Sequence, residues 1–260
     1  MISSSGNIQI KEIIKLQKSA KHRRQEETFV IEGRKMFEEA KELQLIKKAY
    51  VSEVYYRETT EENPDYFKEV PYEIISENVL KEISDTVTPQ GIIATVKMPK
   101  YELESFFQGE KIKLLFLENL QDPGNLGTIM RTAEGAGMTG LILSKGSVDF
   151  YNPKTVRSTM GSLFRVPFVY TDNFAQALQQ AKEHGITLYA AHLQGKNDYD
   201  KEQWNEKSGI LIGNEANGLS TQAAELADVK IKIPMCGKLE SLNASVAAGI
   251  LMYDLLRQLK

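Results

Sequence analysis

The stretch IPMCGKLESLNASVAAGI, residues 233–250, decides how the C-terminal half of the chain is read. It opens as a strand end, because Val229, Ile231 and Ile233 alternate with Lys230 and Lys232. Pro234 and Gly237 break that strand, and a long apolar helix begins at Ser241-Leu242-Asn243. The first turn of a helix leaves backbone N–H groups without partners, so such a junction can hold a ligand mainly through main-chain atoms. Two further stretches share the form of apolar strand, Gly/Asn turn and helix: LENLQDPGNLGTIMRTAEGAG (117–137) and LIGNEANGLS (211–220). The expectation is that these loops make one site.

Around these stretches, strands are expected at 112–117, 141–143, 166–170, 186–191, 209–213 and 229–233. Helices are expected at 126–136, 154–159, 173–184, 219–225 and 242–258, with Asp172 and Gly185 as the N-cap and C′ residues of the third. LLFLEN and GILIGN are apolar on both faces, which points to a parallel sheet covered on both sides. Ligands of such sheets collect beyond the carboxyl ends of the strands, where all the loops above lie.

Upstream, residues 97–111 (KMPKYELESFFQGEK) interrupt the pattern, with Phe106 and Phe107 expected to pack against a domain. The chain therefore divides into 1–97, a linker at 98–111, and 112–260. The first part reads as a small α/β domain: a helix and its exit over 8–25, strands near 29–31, 49–51, 72–75 and 92–96, a helix from Gly33 to about Leu45, and another from an N-cap at Ser76.

At 260 residues, with 42% apolar and 26% charged residues, the composition is that of a globular protein. A net charge of −3 exerts no global pull on nucleic acid, so such binding needs a local patch. One is offered by 11–24, where Lys11, Lys15, Lys18, Lys21, Arg23 and Arg24 face only Glu12. The bland alternative is a solvated helix face. A lone Cys236 excludes an intrachain disulfide, and His22, His184 and His192 lack metal-ligand spacing, so no metal is expected. The N-terminus has no apolar signal core and no long apolar run occurs, so the expected location is the cytoplasm, without membrane.

Gly135-Ala-Gly137-Met-Thr-Gly140 fits the dinucleotide pattern literally, but a helix precedes it and a strand follows, the reverse of what phosphate binding needs. Asp122-Pro123-Gly124-Asn125 forms a turn, and Arg131 follows on the same helix among Ile129, Met130 and Ala133. There a guanidinium needs an anion, unless Asn125 is a mere cap and Arg131 a solvated charge. Glu215, in the Gly213–Gly218 turn, can pair with Arg131, contact a ligand, or sit in a plain turn. Ser241, Asn243 and Ser245 put small polar groups at a helix start, and Ala244, Ala247, Ala248 and Gly249 make a smooth surface suited to tight packing, internal or across a dimer. Lys154 and Arg157 share a face and suit either a basic surface or phosphate contact.

In this order, NLGTIMRTAEGAG, LIGNEANGLS and IPMCGKLESLNASVAAGI resemble the three motifs of the SpoU (TrmH-type) RNA 2′-O-ribose methyltransferases of the SPOUT superfamily. KHRRQEETFVIEGRKMFEEA and SDTVTPQGIIATV resemble that family's ribosomal-protein-like RNA-binding domain. The resemblance implies a parallel-sheet α/β domain with a deep trefoil knot, S-adenosylmethionine as methyl donor, a homodimer, and structured rRNA as substrate in preference to tRNA. A non-catalytic RNA-binding or ribosome-assembly protein on the same fold is the rival. By position, Arg131 matches the catalytic arginine; Asn125, Glu215, Ser241 and Asn243 match other active-site positions; Gly213, Ile233 and Leu242 match donor contacts. Lys21, Arg23, Arg24, Lys154 and Arg157 are the expected RNA contacts. The hydroxyl proton is expected to leave to phosphate, water or Glu215 while a charged Arg131 holds the neighbouring phosphate.

Overall fold

In the computed structural model, which describes Met1–Lys260, residues group into two units. The first comprises Met1–Pro99 with Asp149–Phe164, the second Lys100–Val148 with Arg165–Lys260. The first unit begins with α1 (Ile8–Lys18) and α2 (Ala20–Glu26). The single helix expected over 8–25 is thus two. Ser19 takes extended backbone angles; its N–H caps the end of α1 on Lys15, and its Oγ accepts from His22 N at 3.1 Å to start α2.

Next come β1 (Thr28–Glu32), α3 (Arg34–Glu42), β2 (Ile46–Ser52), α4 (Glu53–Glu62), β3 (Tyr72–Ile75), α5 (Glu77–Ile83) and β4 (Ile92–Lys97). The sheet order is β1-β4-β2-β3, with β2 and β3 parallel and the other pairs antiparallel. Ile10, Ile13 and Leu16 of α1 bury at helical spacing against Val30, Tyr50 and Ile75 of the sheet and Val79 and Leu80 of α5. Ser76 caps α5 as expected. The helix α4 was not expected. Its apolar residues, Val54, Tyr55 and Tyr56, are consecutive and give no helical period; among its residues only Thr59 is buried.

The second unit starts with a 3-10 turn at Leu103–Phe107, then β5 (Ile112–Leu117), α6 (Pro123–Gly135) and β6 (Gly140–Ser144). The helix α7 (Pro153–Thr159) lies in the segment that packs with the first unit. Then follow β7 (Phe168–Thr171), α8 (Phe174–Glu183), β8 (Thr187–Ala191), β9 (Asn197–Asp198), β10 (Lys207–Ile212), α9 (Thr221–Leu226), β11 (Val229–Lys232) and α10 (Ala244–Gln258). These strands form one parallel sheet in the order β7-β6-β5-β10-β8-β11-β9. Two-residue β9 is too short to show a pattern.

Residues of one strand parity (Leu114, Phe116, Leu188, Leu211) pack on α8 and α9. With the opposite parity, Tyr189 lies 4.4 Å from the ring of Trp204, whose Nε1 donates to Asp254 of α10 at 2.8 Å. The expected linker is partly core: Phe106 and Phe107 are buried in this unit's hydrophobic cluster. Gly140 makes room for that turn, since a Cβ there would stand 2.5 Å from the Phe106 ring. Helix α8 is capped by Asn173, whose Oδ1 accepts from Gln176 N at 3.0 Å; Asp172, the expected cap, pairs with Lys145 instead.

Candidate active site

Each loop of the second unit leaves a strand at its carboxyl end. After β5 the chain reaches Asn119, which takes left-handed angles (φ 53°), and turns into α6 at Asp122. Asp122 Oδ1 accepts from Asn125 N at 2.7 Å, and Pro123 occupies the first turn, where a missing N–H costs nothing. After β10, Gly213 and Asn214 open a turn closed by Asn214 N to Gly218 O (3.0 Å) and Gly218 N to Asn214 O (2.9 Å). After β11, residues 233–243 lead into α10, whose N-cap is Asn243 and not Ser241.

These loops meet through one polar chain. Glu215 accepts from the backbone N–H of Gln121 (3.0 Å) and Asp122 (3.0 Å) and from Asn125 Nδ2 (3.1 Å). Asn125 Oδ1 accepts from Asn243 Nδ2 at 2.9 Å. Asn243 Oδ1 in turn accepts from Ser245 N (2.9 Å) and Ser245 Oγ (2.7 Å). Each amide has a donor on one side and an acceptor on the other, so both amide orientations are set by the network. Burial disfavours the charged form of Glu215, but hydrogen bonds from Asp122 N, Asn125 and Gln121 N outweigh it and hold the carboxyl below the ordinary glutamate range. A carboxylate so held is a weaker proton acceptor than an ordinary glutamate. It does not pair with Arg131.

Arg131 lies on α6, roughly 9 Å along the axis from Asn125 at ~1.5 Å per residue. It is exposed and makes no hydrogen bond or ion pair within the chain. Ser241 is likewise exposed and unbonded, in the turn before Asn243. Ile233, Leu242 and Gly213 are half-buried. At Gly213 a Cβ would lie 2.1 Å from the carbonyl carbon of Gly218, so only glycine fits. The backbone groups of 235–242 make no hydrogen bond within the chain and are left for solvent or ligand. This free main chain and the half-buried apolar side chains suit a cofactor with polar edges and an apolar middle.

Sequence reading passed over Glu118. It is buried, accepts from Ser220 N and Ser220 Oγ at 2.7 Å each, and so fixes the exit of the Gly213–Ser220 loop. The signal was present: a charge directly after the apolar run Leu114–Leu117 needs a partner.

The expected RNA contacts lie in the first unit. Lys21, Arg24, Lys154 and Arg157 are exposed. Arg23 is the correction. Its side chain is 3% exposed, pairs with Asp149 Oδ2 at 2.5 Å, and donates to the carbonyls of Leu16 (2.6 Å) and Gln17 (2.9 Å). Its charge is spent inside the domain, where it holds α2 to the 149–164 segment. Arg157 donates to the Asp85 carbonyl at 3.2 Å. No group of three or more His, Cys, Asp or Glu could hold a metal ion.

Comparison with known proteins adds to this geometry. Residues 113–253 match the SpoU rRNA Methylase family, and residues 7–94 match the MRM3-like substrate binding domain. The 23S rRNA (guanosine(2553)-2′-O)-methyltransferase RlmP of Bacillus subtilis (strain 168) is 34% identical over 254 residues, 98% of each chain. An AdoMet-bound rRNA methyltransferase from Sinorhizobium meliloti superposes with a TM-score of 0.87 at 30% identity, covering 100% of this chain and 98% of that one. The SpoU methyltransferase AviRb from Streptomyces viridochromogenes, in complex with AdoMet, gives a TM-score of 0.85 at 26% identity over 97% and 98% of the two chains.

Proposed function

The chain belongs to the SpoU rRNA methylase family, and from that premise we propose that it transfers a methyl group from S-adenosylmethionine to a ribose 2′-hydroxyl of ribosomal RNA in the cytoplasm. The observation that carries this reading is the Glu215–Asn125–Asn243 chain, which ties the three motif loops together on the helix that presents an unpaired Arg131.

When bound, S-adenosylmethionine supplies an electrophilic methyl carbon on a sulfonium. The free backbone of 235–242 and the Gly213 turn would grip its polar edges, with Ile233 and Leu242 against its apolar parts. In-line displacement requires the attacking oxygen to sit opposite the leaving sulfur, so positioning is a large share of the rate. The guanidinium fork of Arg131 would hold the adjacent RNA phosphate and favour the developing alkoxide. A guanidinium does not deprotonate in proteins, so it serves as a charge and not as a base. With Glu215 saturated by donors, the proton leaves to phosphate oxygen or water.

The reading extends to a homodimer and to a trefoil knot. Support for the first is α10, which exposes Val246 and Tyr253 beside half-buried Ala247, Gly249 and Ile250. Support for the second is the close approach of distant chain segments: a Cβ on Gly195 would stand 2.6 Å from the Ile231 backbone.

The experiment is incubation of the purified chain with labelled methyl donor and total RNA from a strain lacking the gene. Labelled, alkali-resistant linkages in rRNA are the expected result. Label in tRNA alone would redirect the substrate, and label in bases alone would overturn ribose transfer.

A further inference from the structure

The first unit contains a groove of about 420 Å³ that the methyl-transfer site does not use. Three elements line it: the C-terminal half of α1 (Ile14, Lys18), the exit of α5 (Glu82, Asp85) and the start of α7 (Lys154, Arg157). Its size falls within the ~300–1,000 Å³ of small-ligand pockets. Lys18 and Lys154 are exposed and have no ion-pair partner, whereas Arg157 is already engaged with Asp85. Ile14, half-buried on the α1–α5 core, and Pro153 supply apolar surface between the charges.

We infer that this groove takes one unpaired nucleotide of the substrate RNA, with its phosphate between Lys18 and Lys154 and its base toward Glu82. The inference rests on the RNA-modifying reading above. Two ammonium groups without an ion-pair partner in one groove suit a phosphate. A base edge carrying N–H donors suits Glu82, which has no ion-pair partner, and its flat face suits Ile14 and Pro153. Sequence-specific contacts to RNA are made mostly to unstacked nucleotides, whose faces and edges are free. The groove is rigidly assembled. Gln17 Nε2 donates to Ile83 O at 2.5 Å, Asn152 Oδ1 accepts from Lys154 N at 2.9 Å, and the Arg23–Asp149 pair holds the α7 segment to α2. Residues 130 or more apart in sequence thus share one surface of the first unit.

The test uses the full chain and large-subunit rRNA from a strain lacking the gene. The double variant Lys18→Ala/Lys154→Ala is expected to raise the KM for rRNA about tenfold or more, with kcat within twofold and S-adenosylmethionine affinity unchanged. Its salt dependence should become shallower by about 0.7 in log–log slope, as expected for one lost phosphate contact on a single strand. Lys68→Ala/Lys260→Ala removes the same charge elsewhere and is expected to leave the KM within twofold. Ultraviolet crosslinking of the wild-type complex should map to peptides of α1, the α5 exit and α7. A groove variant within twofold of wild type, an equal loss in both double variants, or crosslinks confined to other peptides overturns the inference. If crosslinks fall in the groove while no RNA ribose gains a methyl group, the groove stands and the catalytic reading goes. Methylation with an unchanged KM in the groove variant does the reverse.

Discussion

Asn243 Nδ2 donates to Asn125 Oδ1 at 2.9 Å, joining the cap of α10 to the first turn of α6 across 118 residues. Through it, two helix starts share one orientation. Asn243→Ala removes this bond and the α10 cap together. The loss of a cap alone costs about 1 kcal/mol. The expected outcome is a stability loss of about 1–2 kcal/mol by denaturant unfolding, with weaker donor binding by calorimetry. Asn243→Asp keeps the cap but sets an acceptor against the Asn125 acceptor, and should bind donor poorly while keeping most of the stability.

Arg131 has no partner to lose within the chain, so its replacement should leave stability within about 0.5 kcal/mol. Arg131→Lys keeps the charge and loses the fork. Single-turnover methylation is expected to fall about 10²-fold or more with donor affinity intact. A near-wild-type rate would show that a point charge suffices.

Glu215 is held below the ordinary glutamate range, burial opposing and the bonds from Asp122 N, Asn125 and Gln121 N prevailing. A depressed carboxyl contributes stability above its unfolded value of about 4.3, and this is lost as pH falls through the lower folded value. Glu215→Gln should therefore flatten the acid limb of stability below about pH 4. Between about pH 6 and 9 wild type and variant should show the same shape of rate profile, since the carboxylate is ionised throughout. A neutral-pH limb that vanishes in Glu215→Gln would restore it as the base.

Gly213→Ala has nowhere to put its methyl group, which would meet the Gly218 backbone at 2.1 Å. The turn must open, at about 1–3 kcal/mol. Donor affinity should drop at least tenfold in equilibrium dialysis, while rRNA binding through the first unit persists.

Arg23→Ala leaves Asp149 without its cation and the Leu16 and Gln17 carbonyls without a donor. Breaking such a buried pair costs about 3–5 kcal/mol. Thermal unfolding should show that loss, and Arg23→Lys, lacking the planar fork, should recover little of it.

The parallel sheet was legible because Leu114–Leu117 of β5 and Gly209–Ile212 of β10 are unbroken apolar runs, and the active loops because glycine and asparagine punctuate the ends of those strands. Periodicity reports which face is buried, but not which partner does the burying. Arg23 shows the limit. In sequence it is one of six cations on a basic helix, and nothing nearby marks it as the one that meets Asp149, which lies 126 residues away. The cap of α10 had the same ambiguity, since Ser241 and Asn243 are both good N-cap residues, and it is Asn243 whose Oδ1 accepts from the N–H groups of Ser245 and Val246. α4 escaped because its helix hides almost nothing, so no apolar period was written into it.

The grouping of Asp149–Phe164 with the N-terminal residues bears on how such a gene can be cut and recombined. A fragment beginning near residue 100 would carry the whole stretch matching the methylase family, yet would strand Tyr151 and Phe164 without the Phe29 side of their packing. Recognition modules therefore cannot be exchanged at that boundary like beads on a string. A viable chimera must transplant the insert along with the N-terminal residues, and inheritance of the two will have been coupled for the same reason.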